Sequence, residues 1–122
     1  MEYGFGMPGR GPLAEPDNLV ALARGGEEMG FDIISVSDHI IIPRDISSRY
    51  PYSESGEFAG RAQGECMEQL SLLSFLAGQT STVRLLTSVM VLPHRSPMLA
   101  AKMLTTIDVL SQGRLIVGCG VG

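Results

Sequence analysis

Apolar and polar positions change their spacing several times along the chain, and each change marks a predicted element. The apolar stretch at 3–6, YGFG, is halted by Pro8, Gly9, Gly11 and Pro12 and predicts a short strand. From Pro16 onward Leu19, Leu22, Ala23, Gly26 and Met29 recur at three- and four-residue spacing, which predicts a helix with Pro16 and Asp17 in its first turn and Gly30 at its end. FDIISV at 31–36 is β-branched and almost continuously apolar, as in a strand covered on both faces of a parallel sheet. After a long polar interval the pattern predicts a helix at 66–78, a strand at 82–93, a helix at 96–113 and a strand from 114 to 122. In the last helix Ser96 suits the N-cap, Pro97 the first helical position, and Gly113 the residue past the end. The interval at 37–64 holds Pro43, Pro51, Gly56, Gly60 and Gly64, and connections of that length inside a compact domain are usually functional or disordered.

The order β-α-β-loop-α-β-α-β implies parallel strands joined by helical crossovers, an α/β fold in one domain covering 1–122. Along 97–110 the apolar residues Met98, Leu99, Ala100, Ala101, Met103, Leu104, Ile107, Val109 and Leu110 surround the axis, and only Lys102 and Asp108 are charged. A helix apolar on every side is expected to be covered on every side. The run Leu70, Leu72, Leu73, Phe75, Leu76 behaves in the same way. A single sheet covers one side of a helix, so self-association through this pair into a homo-oligomer is expected.

Composition adds limits. An apolar content of 44% with 18% charged residues describes a globular chain able to bury a core. Net charge is −4 with no Lys/Arg cluster, which argues against nucleic acid as a partner. Cys66 and Cys119 stand far apart with no CxxC, so no metal site and no disulfide framework is expected. Without a basic and then apolar leader pattern or a long apolar window, the expected location is cytoplasmic and no membrane partner is expected.

Four stretches carry a resemblance: GFDIISVSDHI, the strand VRLLTSVMVLP, the following HRSPMLAAKMLTTIDVLSQGRL, and IVGCGVG. Together they resemble the N-terminal part of the bacterial luciferase-like flavin oxidoreductase family. The resemblance implies the N-terminal half of a TIM (β/α)8 barrel, an oxidoreductase or monooxygenase function by hydride transfer or oxygen activation, and FMN or the deazaflavin coenzyme F420 as cofactor, with F420 favoured. Eight βα units need about 250 residues, and this chain supplies about the first three and a half. Open strand edges in such a half need a cover. The alternative expectation is therefore a catalytically silent half-barrel that folds by self-association.

In barrels of this kind chemistry sits at the carboxyl ends of the strands. Asp38 and His39 fall at that end of the second strand. A histidine, with an ordinary pKa of about 6.5, can give or take a proton near neutrality, and a neighbouring carboxylate can fix its tautomer. Taken alone, such a pair is more often a loop cap than a catalytic pair. The resemblance implies His39 as catalytic acid/base and cofactor contact, Asp38 as cofactor or histidine partner, and Ser88 with Val89 as a bulge supporting one face of the flavin ring through a cis Ser88–Val89 peptide. The closing GCGVG lacks the helix and downstream acid of a dinucleotide fingerprint, so its glycines are expected to permit close backbone approach near the cofactor. Arg95, Asp108 and Arg114 are expected to be structural, with Arg114 the cation that balances Asp108 near its helix C-terminus. Met7, Met67, Met90, Met98 and Met103 are expected in the core, and Tyr50 and Tyr52 are candidates to line a substrate pocket. The deazaflavin sugar-phosphate dehydrogenases carry a tryptophan shortly after the Asp-His pair. This chain has no tryptophan and reads Ile40, Ile41, Ile42 there, which speaks against that substrate.

Overall fold

The computed structural model describes residues 1–43, 45–51, 53–58 and 66–121. Four strands, β1 (Gly4–Gly6), β2 (Ile33–Val36), β3 (Arg84–Val91) and β4 (Leu115–Gly120), alternate with three helices, α1 (Pro16–Glu28), α2 (Gln69–Gln79) and α3 (Pro97–Leu110). All strand pairs are parallel and the sheet order follows the chain, β1-β2-β3-β4. This is the expected α/β architecture.

Polar side chains explain why the elements are shorter than the apolar pattern predicts. β3 begins at Arg84 because the preceding N–H groups of Ser81, Thr82 and Val83 all donate to Oε1 of Glu27, at the end of α1, and so cannot join the sheet ladder. It ends at Val91 because Pro93 lies in a 3-10 turn over Leu92–His94. α2 begins at Gln69 because Glu68 is its cap, accepting from the Ser71 N–H at 2.7 Å. Ser96 does occupy the N-cap position of α3, but its hydroxyl makes no capping hydrogen bond.

The core lies between the sheet and the helices. Leu19 and Ala23 of α1, Ile34 and Val36 of β2, Leu85 and Met90 of β3, and Leu70, Leu73, Leu76 and Ala77 of α2 are all buried. Each fully buried leucine contributes about 1.5–3 kcal/mol through the hydrophobic effect. α2 packs between α1 and α3, and this explains its weak amphipathicity. α3 behaves differently from the all-round burial expected of it. Only Ala100 and Ile107 are buried, while Met98, Leu99, Val109 and Leu110 are 84%, 56%, 76% and 56% exposed. Met98 is therefore a surface residue, whereas Met7 and Met90 are in the core and Met67 and Met103 pack at its margin.

Arg114 has a different partner from the one expected. It donates through Nη1 to Thr80 Oγ1 (2.8 Å) and the Val83 carbonyl (2.7 Å), through Nη2 to the Ala77 and Thr80 carbonyls (both 3.0 Å), and through Nε to the Ser111 carbonyl (2.7 Å). None of these bonds goes to Asp108. The carbonyls left over at the C-terminal end of α2 need donors more than a surface carboxylate needs a cation, and a five-donor fork meets that need.

The β3–β4 pairing shifts register between Thr87 and Met90, and the Ser88–Val89 peptide within the shift is cis. The Thr87 hydroxyl bridges the gap, donating to the Gly118 carbonyl at 2.8 Å and accepting from the Gly118 N–H at 2.9 Å. The strands then run so close that a Cβ on Gly118 would lie 2.6 Å from the Thr87 carbonyl oxygen, and one on Gly120 would lie 2.9 Å from Val89 Cγ2. Gly118 thus permits close approach of the β3 backbone and Gly120 that of the Val89 side chain, where the sequence suggested room for a cofactor. Gly118→Ala is expected to destabilise the fold by about 1–3 kcal/mol, whereas Gly25→Ala, inside α1 with nothing near its added methyl, should be neutral or stabilising by up to about 1 kcal/mol. Urea titrations of both variants check this pair; equal midpoints would contradict it.

Candidate functional site

β2 ends at Val36, registered on Thr87, and β3 continues past that point to Val91, so the Ser88–Val89 bulge follows the place where β2 ends, at the carboxyl end of the sheet. A buried amide holds the end of β2. Nε2 of Gln69, a fully buried residue, donates to the Val36 carbonyl at 2.7 Å.

Asp38 follows two residues later. Its side chain is 1% exposed and accepts a bidentate pair from Arg95, Nη1 to Oδ2 at 2.6 Å and Nη2 to Oδ1 at 2.9 Å. Oδ2 also accepts from the Val91 N–H at 2.9 Å. Arg95 Nη2 reaches further, to Glu68 Oε1 at 2.5 Å. One guanidinium thus ties together the exits of β2 and β3 and the cap of α2. Burial alone would raise the Asp38 pKa, but the Arg95 hydrogen bonds, the Val91 N–H and the charges of Arg95 and His94 outweigh it and hold the carboxyl below its ordinary range. Glu68 is lowered in the same way, burial being outweighed by Arg95 and by the N–H groups at the start of α2.

His39 points elsewhere. No hydrogen bond joins it to Asp38, and its Nδ1 is enclosed without a hydrogen-bond partner. Its ring stacks on Phe58, with centroids 5.6 Å apart and planes 25° from parallel. Tyr50 meets the same phenyl ring edge-on at 5.0 Å, and the Arg10 guanidinium lies 5.0 Å from its centroid. Burial first, then the positive charge of Arg10, lowers the His39 pKa from its ordinary value against a smaller opposing pull from Asp38. The imidazole is therefore neutral at pH 7, with one nitrogen able to accept and the other to donate. Tyr52 lies outside the described residues, as do Gly60 and Gly64.

Ser88 and Val89 are exposed at the β3 bulge, Val89 to 48%. Beside them Gly118 and Gly120 present no side chain, and a Cβ on either would touch Val89. Arg10, Phe58, Glu68 and Gln69 are additions that the sequence alone did not single out. Arg10 could have been noticed as the first charged residue past the carboxyl end of β1. Nothing in the spacing marks Phe58, because its partner is 19 residues away across an irregular segment. Among the described residues no cluster of His, Cys, Asp or Glu could hold a metal ion, and no helix is long and apolar enough to cross a membrane.

A parallel sheet with helical crossovers and polar residues gathered at the carboxyl ends of its strands defines a segment of an α/β barrel. The profile of the luciferase-like monooxygenases matches residues 2–122, and the chain belongs to that family. An uncharacterised protein of Mycobacterium tuberculosis is 31% identical over 103 residues, 84% of this chain and 35% of that one. The F420-dependent glucose-6-phosphate dehydrogenase of Amycolatopsis mediterranei is 32% identical over 108 residues, 88% of this chain and 28% of that one. Among solved structures, the oxygenating constituent of 3,6-diketocamphane monooxygenase from Pseudomonas putida, in complex with FMN, is similar over 100% of this chain and 30% of its own, with a TM-score of 0.71 at 22% identity. The chain spans about a third of the length of the curated relatives it matches.

Removing Arg95 would leave Asp38 charged and buried alone. Arg95→Ala is expected to cost about 3–5 kcal/mol at neutral pH, the usual penalty for an orphaned buried charge. Because the folded-state pKa values of Asp38 and Glu68 lie below their ordinary ones, the stabilisation is complete above the ordinary carboxylate range and disappears as the pH falls through the folded-state values. The gap between wild type and Arg95→Ala should therefore narrow on acidification. Urea titrations at a series of pH values measure it, and a pH-independent gap would show that the ion pair is not its source.

Proposed function

We propose that the chain forms the strand-end portion of a flavin site in a luciferase-like oxidoreductase, with F420 favoured and FMN the alternative cofactor. The observation carrying this reading is that the Ser88–Val89 bulge of β3 follows the register point at which the neighbouring β2 ends and the chain runs on to His39. F420 is favoured because the F420-dependent relative is above 30% identical, whereas the FMN-bound structure is alike in fold alone.

The residues present fit a flat heterocycle. A planar ring needs a face free of projecting side chains, and Val89 flanked by Gly118 and Gly120 offers one. It also needs a polar group to address its heteroatoms, and the half-buried imidazole of His39 is one. In this reading Ser88 and Val89 support the ring. His39, neutral at pH 7, holds or moves a proton through its ring nitrogens. Asp38, its carboxylate engaged by Arg95, contributes to the cofactor site by fixing the backbone from which His39 departs. A bound flavin would supply the hydride chemistry or oxygen activation, while the protein binds, orients and excludes water.

Gel filtration of the chain after mixing with each flavin tests this. Near-stoichiometric co-elution of F420, weaker retention of FMN, and loss of both on Val89→Lys are expected; a folded chain that retains neither flavin would overturn the reading.

The exposed apolar stripe of α3 favours a second reading, in which the chain is a catalytically silent half-barrel that folds as a homo-oligomer. Leu99 and Leu110 lie about three helical turns apart, hence on one stripe, and both are more than half exposed. Light scattering should give a multiple of the chain mass, and Leu99→Glu with Leu110→Glu should shift it to the monomer or unfold it. A wild-type monomer at micromolar concentration would exclude this reading.

A further inference from the structure

His39 is assigned a proton to hold or move, yet its ring is covered on one face. Its Nδ1 is enclosed, and the Phe58 ring is stacked on the imidazole with centroids 5.6 Å apart, inside the range of about 4.5–7 Å for attractive ring pairs. His94, the other histidine of the chain, is exposed.

Core filling does not account for Phe58. It is half-buried, and it belongs neither to the buried core nor to the apolar residues packed against the core. Among the described residues its ring meets His39, Tyr50 edge-on at 5.0 Å, and the Arg10 guanidinium at 5.0 Å. The backbone leading to it is tied mainly to itself. The Tyr50 N–H donates to the Gly56 carbonyl at 2.7 Å, the Gly56 N–H to the Ser53 carbonyl at 3.0 Å, and Arg49 Nη2 to the Glu54 carbonyl at 3.2 Å. The Ser55 hydroxyl is bonded to Ser53 and accepts from the Glu57 N–H. All of these bonds lie within residues 49–57, so a movement of this turn keeps them. Tyr50 travels with the turn, and the ring contacts given up are those to His39 and Arg10. A segment with internal hydrogen bonds and few apolar anchors opens at low free energy. His39, by contrast, leaves a backbone fixed through the bonds of Asp38 to Arg95 and to the Val91 N–H. The phenyl ring, and not the imidazole, is therefore the partner free to withdraw.

We propose that Phe58 is a removable cover on His39: seated, it withholds the imidazole, and a ligand bound at the strand ends displaces it. That this ligand is a flavin rests on the reading above; the cover itself does not. The contact is then autoinhibitory, keeping the proton-handling group out of reach until the site is filled, as lids do in other enzymes.

Diethyl pyrocarbonate acylates accessible neutral imidazoles, and peptide mass spectrometry assigns a rate to each histidine. In flavin-free protein His39 is expected to react more slowly than His94. In Phe58→Ala it should react about tenfold faster than in wild type, the equivalent of about 1.4 kcal/mol, with His94 unchanged and Phe58→Tyr still slow. Equal His39 rates in wild type and Phe58→Ala, both folded by circular dichroism, overturn the proposal. If Phe58→Ala fails to fold, the wild type decides. Nuclear Overhauser contacts between the Phe58 and His39 rings are expected in flavin-free protein, and their absence there overturns the proposal. The same contacts should be lost in samples from which flavin co-elutes. Contacts that persist beside co-eluting flavin sink the cover and leave the flavin reading standing, whereas no co-elution with a fast Phe58→Ala sinks the flavin reading alone.

Discussion

The bidentate pair between Asp38 and Arg95 is the constraint on which the rest of the strand-end geometry depends. Asp38 leaves β2, Arg95 follows β3, and the same guanidinium reaches the Glu68 cap of α2. Three segments far apart in the sequence are therefore registered by one planar fork. Such a pair adds little net stability compared with an apolar replacement, because both charges are taken out of water. Its effect is directional: with Oδ2 of Asp38 also bound by the Val91 N–H, the backbone at residue 38 has little freedom, and His39 leaves from a fixed point.

Other polar side chains act in the same manner at the opposite end of the sheet. Glu27 takes up the N–H groups that precede β3, and Arg114 takes up the carbonyls that end α2. Both lie at the amino ends of strands, where barrel folds place stabilising rather than reactive groups. The two ends thus use similar chemistry differently. At the amino end Glu27 and Arg114 are matched mainly by backbone groups, whereas at the carboxyl end Arg10 and His39 keep unmatched atoms.

Most of the architecture was legible in the sequence, because alternation of strands and helices is written in apolar spacing. The order of elements, the parallel pairing and the start of α3 at Pro97 all follow from it. Boundaries were less legible: Glu27 and Glu68 shortened β3 and α2 through contacts made across space, which periodicity does not register. Asp38 and His39 could be placed at a strand end, yet their divergence, one into an ion pair and one against Phe58, could not. Adjacent residues leave the backbone in different directions, and their partners were 57 and 19 residues further along the chain. The glycines of β4 were recognised as close-approach positions, but only the fold identifies β3 as what comes close.

The Thr87–Gly118 contact has a consequence for how this chain can vary. One hydroxyl serves both backbone groups of a residue on the neighbouring strand, and that residue has no space for a side chain because of the carbonyl belonging to the same threonine. Each position is thereby a condition on the other: a side chain at 118 needs a wider separation, and a wider separation takes Gly118 out of reach of the hydroxyl. The two residues, 31 apart in the chain, are coupled, and the cost of a change at either depends on the residue at the other.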